Sequence, residues 1–121
     1  MKIQSVCHLT GIEKPTLLYY ERMGILRNIK RDPAGHREYD PGQLDWIALI
    51  KRLRATGMPM EEIQRLALLY EEGDKSLEER CHILKMHRDR VQQFLRETEK
   101  HLKVLEEKIQ GCEEKKASPK P

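Results

Sequence analysis

Residues Thr16 to Tyr39 read TLLYYERMGILRNIKRDPAGHREY and hold the side chains of this chain best suited to chemistry. The adjacent phenols of Tyr19 and Tyr20 would have to exchange protons in an enzyme, yet no paired acid and base, activated nucleophile or phosphate-binding loop accompanies them. The same phenols can donate hydrogen bonds to phosphate oxygens. Lys30, Arg31 and Arg37 follow them, cations suited to phosphates or a minor groove, or to the solvated edge of a hairpin. A clamp on nucleic acid fits the stretch better than a catalytic centre, and no cofactor is expected. His8, His82, His87 and His101 show no metal-ligand spacing, so no metal is expected either.

These side chains must be held by short elements. Ile3, Val6 and Cys7 or Leu9 can share one helical face, and Gly11 is a natural stop for that first helix. Glu13-Lys14-Pro15-Thr16 opens a second helix, with Pro in a first turn that does not need its N–H, and the helix runs to about Met23-Gly24. Two short helices joined by a Gly-containing turn make a helix-turn-helix, whose second helix would enter a DNA major groove. From Arg27 to Tyr39 the helical period fails, and Asp32-Pro33-Ala34-Gly35 is turn chemistry between two extended segments, a β-hairpin wing. Asp40 and Pro41 then start a third helix with Leu44, Ile47, Ala48, Ile50 and Leu53 inward and Trp46 alongside, ended by Gly57. A fourth begins near Met58-Pro59, buries Ile63, Leu66, Ala67 and Tyr70, and stops at Gly73-Asp74.

From Ser76 onward the pattern changes. Alternating steps of four and three residues give Leu77, Cys81, Leu84, Arg88, Val91, Leu95, Thr98, Leu102, Leu105, Ile109 and Cys112, a coiled-coil seam of about five heptads. A helix from Leu77 to Cys112 is ~54 Å long, more than the rest of the chain can cover, so a second copy is the economical partner. The organisation expected is a DNA-binding part over residues 1–75, a dimerisation helix over 76–112 and a disordered tail over 113–121, which lacks large apolar residues and contains two prolines.

Composition agrees with an all-α chain of modest core. Of 121 residues, 38% are hydrophobic and 36% charged, with one Phe, one Trp and four Tyr, so Leu, Ile and Met at helical spacing must organise the fold. The net charge of +3 is uneven: residues 1–58 carry ten basic against six acidic side chains, whereas residues 59–75 carry two against five. The basic excess lies where a phosphate-binding face is expected. No apolar run approaches the ~18 residues of a membrane span, and three widely separated cysteines, Cys7, Cys81 and Cys112, suit free thiols in a reducing compartment. A cytoplasmic protein is expected, with no membrane partner.

With those elements placed, the chain resembles the short members of the MerR family of bacterial transcription regulators. The family's T-x-R-Y-Y-E-x-x-G-L motif and the wing ending G-x-R-x-Y are matched by Thr16, Tyr19, Tyr20, Glu21, Gly24, Leu26, Gly35, Arg37 and Tyr39. Leu18 stands where the motif usually has Arg, and His36 where the wing often has an aromatic. The resemblance covers Ile3 to Ile109. It implies a mainly α fold: a winged helix-turn-helix with a two-stranded β wing, an auxiliary helix pair and a long antiparallel coiled-coil dimerisation helix. It further implies a homodimer that binds double-stranded promoter DNA at a pseudo-palindromic site, bends and underwinds an overlong spacer, and so realigns the elements read by RNA polymerase. Residues 49–59 also resemble a subgroup linked to aldehyde and electrophile stress, in which a cysteine often occupies the place of Arg52; its absence excludes thiol sensing there.

The DNA-contacting residues expected are Lys14, Thr16 and Leu17 on the second helix, at least one of Tyr19 and Tyr20, and Lys30, Arg31 and Arg37 on the wing, Arg37 foremost. Tyr39 is expected chiefly to pack the wing against the third helix, and to reach DNA secondarily. Dimerisation falls to Leu77, Leu84, Val91, Leu95, Leu102, Leu105 and Ile109. If Leu77 of one chain meets Cys112 of the other, Leu84 meets Leu105 and Val91 meets Thr98, and Cys112 lies ~6 Å along the axis from Cys81 of the partner. Those two thiols are either effector ligands across the dimer or small apolar fillers of the seam. Metal-responsive relatives use cysteines bracketing a loop beyond this helix, and no cysteine follows Cys112. A coiled-coil adaptor without sequence-specific DNA binding is the competing function.

Overall fold

The computed structural model describes residues 1–118. Its elements are α1 (Ile3–Thr10), α2 (Lys14–Arg22), β1 (Lys30–Arg31), β2 (Arg37–Glu38), α3 (Leu44–Ala55), α4 (Met60–Glu71) and α5 (Leu77–Ala117), with 3-10 turns at Pro41–Gln43 and Gly73–Ser76. The chain divides into two compact units, Met1–Ile83 and a second beginning at Leu84, so the division falls inside α5 rather than at its start.

Local chemistry explains most boundaries of the first unit. Gly11 caps α1 in the left-handed conformation (φ 69°), and its N–H donates to the Cys7 carbonyl. Pro15 sits in the first turn of α2. The Asp40 carboxylate accepts from the Gly42 N–H while the Gln43 side chain accepts from the Asp40 N–H, a reciprocal cap that starts the 3-10 turn leading into α3. The wing is a two-stranded antiparallel ribbon in which Lys30 pairs with Glu38 and Arg31 with Arg37. Asp32 closes its turn: its N–H donates to the His36 carbonyl, and its carboxylate accepts from the His36 N–H.

The core of this unit takes one buried aliphatic residue each from α1 and α2, three or more each from α3 and α4, and others from the loops. Val6, Leu17, Ile25, Leu26, Ile47, Ile50, Met58, Ile63, Leu66 and Leu69 are buried. Leu69, rather than Tyr70, completes the inner stripe of α4; Tyr70 is 37% exposed. Its ring packs at a tilt against Trp46, with 4.8 Å between centroids, and lies under the Arg80 guanidinium at 4.4 Å. Trp46 in turn donates its indole N–H to the Ile25 carbonyl. The first turns of α5 belong to this unit because they are fastened to α4: Glu79 accepts a forked pair from Arg65, and the Ser76 hydroxyl donates to the Leu69 carbonyl. Ala48, expected inward on α3, is exposed.

The second unit is the helix from Leu84 onward. Leu84 and Val91 are half-buried, while Leu95 (55%), Leu102 (52%), Leu105 (59%) and Ile109 (58%) are open to solvent. The helix continues to Ala117, into the segment expected to be disordered; residues 119–121 of that segment lie outside the described residues. Glu, Lys and Ala are strong helix formers, Gln110 and Glu114 bond at i,i+4, and Lys115 and Lys116 suit the negative end of the helix dipole.

Candidate nucleic-acid interface

The period of α2 sorts its side chains. Leu17 and Tyr20 face the core, whereas Lys14, Leu18 and Arg22 recur every four residues on the opposite side, with Tyr19 beside them. Leu17 has no exposed surface and cannot touch DNA, which corrects its expected role: it holds the helix down rather than reading a groove. Tyr20 is 5% exposed, so of the paired tyrosines it is Tyr19 that remains available. Burial raises the Tyr20 phenol above its ordinary pKa. Tyr19 is half-buried, and the guanidinium of Arg22 lies 5.8 Å from the centre of its ring. Arg22 was not among the expected contacts, although its four-residue step from Leu18 was a usable signal. Thr16 is half-buried at the start of the helix and Lys14 is exposed.

On the wing, Lys30 and Arg31 are exposed, and Arg31 donates to the Gly35 carbonyl across the turn. Arg37 is held differently: its Nε donates to the Glu21 carboxylate at 2.7 Å, both side chains being 29% exposed. The best expected phosphate ligand is thus also the tie between wing and α2. Glu21 is a second residue that charge counting alone does not single out. Tyr39 is 1% exposed and packs beneath the wing, which excludes a direct DNA contact in this conformation. Burial, and then the neighbouring Glu21 carboxylate, raise its phenol above the ordinary pKa.

Lys2 braces the wing from the N-terminal side, donating to Asp32 and to Glu38, each at 2.5 Å. Its ammonium, followed by the His36 N–H, lowers the Asp32 carboxyl to about 2, and the same ammonium lowers Glu38. Between this brace and α2 lies an open cleft of about 430 Å³ whose lining includes Lys2, Lys14, Arg31, His36 and Arg37. Basic side chains from three elements therefore converge on one concave surface beside the exposed face of α2, a surface suited to a phosphate backbone.

Cys81 and Cys112 are exposed free thiols on α5, and Cys7 is half-buried. Among the described residues no group of three or more His, Cys, Asp or Glu side chains is arranged to hold a metal ion. No described helix is long and apolar enough to cross a membrane. Phe94, 70% exposed, is an apolar side chain of α5 that the heptad count left out because it stands one residue before the seam position Leu95.

Comparison with known proteins agrees with this geometry. A family model described as "MerR HTH family regulatory protein" matches residues 1–68, and one described as "MerR, DNA binding" matches residues 44–112. The transcriptional regulator AdhR of Bacillus subtilis is 37% identical over 91 residues, 75% of this chain and 65% of AdhR. An HTH-type transcriptional regulator of Haemophilus influenzae is 33% identical over 107 residues, 88% of this chain and 79% of that protein. Among solved structures, HiNmlR, a MerR family regulator lacking the sensor domain and bound to promoter DNA, is 31% identical with a TM-score of 0.83, over 93% of this chain and 89% of that one. A MerR family regulator from Listeria monocytogenes superposes with a TM-score of 0.85 at 27% identity, over 93% of this chain and 86% of that one. These relatives are regulators rather than enzymes, and with both family models matched across its helix-turn-helix, wing and long helix, the chain belongs to the MerR family of DNA-binding transcriptional regulators.

Proposed function

We propose that this protein is a homodimeric regulator that binds a pseudo-palindromic promoter site in the cytoplasm and bends and underwinds the spacer, setting how RNA polymerase engages the promoter. The observation that carries the reading is that Lys14 of α2, the helix that also bears the half-buried Tyr19, converges with Arg31 and Arg37 of the wing around one basic cleft. Lys14 and Tyr19 would enter the major groove with their helix, and the wing would grip the flanking backbone. HiNmlR, similar over most of both chains, is bound to promoter DNA. Support for the dimer comes from the exposed row Leu95, Leu102, Leu105 and Ile109, which an antiparallel second copy would cover. In the register that opposes Leu84 to Leu105, Phe94 of one chain meets Leu95 of the other at the two-fold axis, adding an apolar contact there.

The test is selection of bound sites from fragmented genomic DNA by the purified protein, before and after alkylation of its thiols. An enriched pseudo-palindrome within an overlong promoter spacer is expected; loss or gain of binding after alkylation would implicate the cysteines in an effector response. Absence of any enriched sequence would replace this reading with the adaptor.

A further inference from the structure

The pair formed by Arg37 and Glu21 stands next to an unusual neighbour. Tyr39 follows Arg37 by two residues, and its N–H continues the extended pairing by donating to the Met1 carbonyl. Strand alternation therefore puts the Arg37 and Tyr39 side chains on the same face, the one that meets Glu21 of α2. Tyr39 is 1% exposed, and among the described residues its hydroxyl is the buried side-chain polar atom with no hydrogen-bond partner. Buried polar groups are nearly always paired, so an orphan of this kind asks for an explanation.

We propose that Tyr39 is a positioning residue that takes over the Glu21 carboxylate when DNA draws Arg37 away: the phenol is the standby partner that makes the Arg37 swing affordable. The inference rests on the DNA-binding reading above. A backbone phosphate competes with Glu21 for Arg37, because arginine pairs with both kinds of oxyanion through charge-assisted bonds. If Arg37 turned outward alone, Glu21 would remain as an unpaired anion, 29% exposed, beneath a phosphate backbone. Freed from Arg37, the Glu21 side chain turns until its carboxylate meets the Tyr39 O–H, which satisfies both groups at once and keeps the wing attached to α2 while the cation serves the DNA. The phenol acts as a donor throughout, since burial and the adjacent carboxylate both favour its protonated form.

Fluorescence-anisotropy titration with a selected site, together with thermal melts, tests this in wild type, Tyr39→Phe, Arg37→Ala and the double variant. Tyr39→Phe should bind about tenfold more weakly, the worth of one hydrogen bond to a charged group. Its free protein should melt no lower than wild type, because the phenol O–H has no bond there to lose. In the Arg37→Ala background the phenol already holds Glu21 in the free protein, so adding Tyr39→Phe should lower the melting temperature and leave DNA affinity where Arg37→Ala put it. Should Arg37→Ala not fold, Glu21→Ala serves instead: without the acceptor, Tyr39→Phe should no longer change affinity. Wild-type affinity in Tyr39→Phe would overturn the proposal, showing that Arg37 holds phosphate and Glu21 together. An equal loss in both backgrounds would also overturn it, in favour of simple packing. A wild-type chain that retains no DNA sequence would overturn the regulator reading along with it.

Discussion

Truncation of Leu102 tests the second copy quantitatively. Leu102 is 52% exposed on α5, so about half of its burial is still available to a partner. Leu→Ala removes three carbons, worth about 0.8 kcal/mol each when fully buried. Roughly half of that, about 1.2 kcal/mol, belongs to the interface in each chain. The side chain occurs twice in a two-fold dimer, giving a loss of about 2.5 kcal/mol, or roughly 60-fold in the dimer Kd. Alanine is the best helix former, so the helix itself is not weakened by the change. Sedimentation equilibrium over a range of protein concentrations reads this shift directly, and the melting temperature should become more dependent on concentration. Lys103→Ala, one residue off the seam and exposed, is the control and should leave Kd within a few-fold of wild type. An unchanged Kd for Leu102→Ala, or equal effects of the two substitutions, would refute the seam as the dimer contact.

Two further predictions concern the first unit. Leu17→Ala should destabilise it by about 2–5 kcal/mol in a urea titration, the cost of emptying a fully buried leucine site; a stability equal to wild type would show that Leu17 is not core. The brace on the wing should respond to acid, because the Asp32 carboxyl is lowered from 3.8 to about 2 by Lys2. The folded wing binds that proton less readily than the unfolded chain, so the brace contributes fully above pH 3.8 and is lost as pH falls towards about 2, with Glu38 lowered in the same direction. An NMR titration of the Asp32 carboxyl should show its midpoint moving up towards 3.8 in Lys2→Gln; a midpoint indifferent to that substitution would remove Lys2 as the cause.

The order and type of elements were readable along the chain because they depend on near neighbours. Pro15 in a first turn, Gly11 at a helix end, the Asp40 cap and the Asp32-Pro33-Ala34-Gly35 turn all act through backbone conformation and bonds spanning a few residues. The heptad rhythm of α5 and the paired-tyrosine and wing motifs are likewise matters of spacing, and they sufficed for the family. Which side of each element turned inward was less accessible. Tyr19 and Tyr20 are chemically identical neighbours, and Tyr20 is buried because residues distant in sequence pack on that side of α2; Leu17 shares that side and so leaves the DNA surface. The partnership of Arg37 with Glu21 spans 16 positions, and the unpaired phenol of Tyr39 depends on the wing folding back over α2. Leu69 displaces Tyr70 from the inner stripe for a similar reason: Trp46 and Arg80, from two other elements, give the Tyr70 ring a place at the surface. Spacing establishes which faces exist, whereas burial and charge pairing depend on which remote side chain arrives opposite each face.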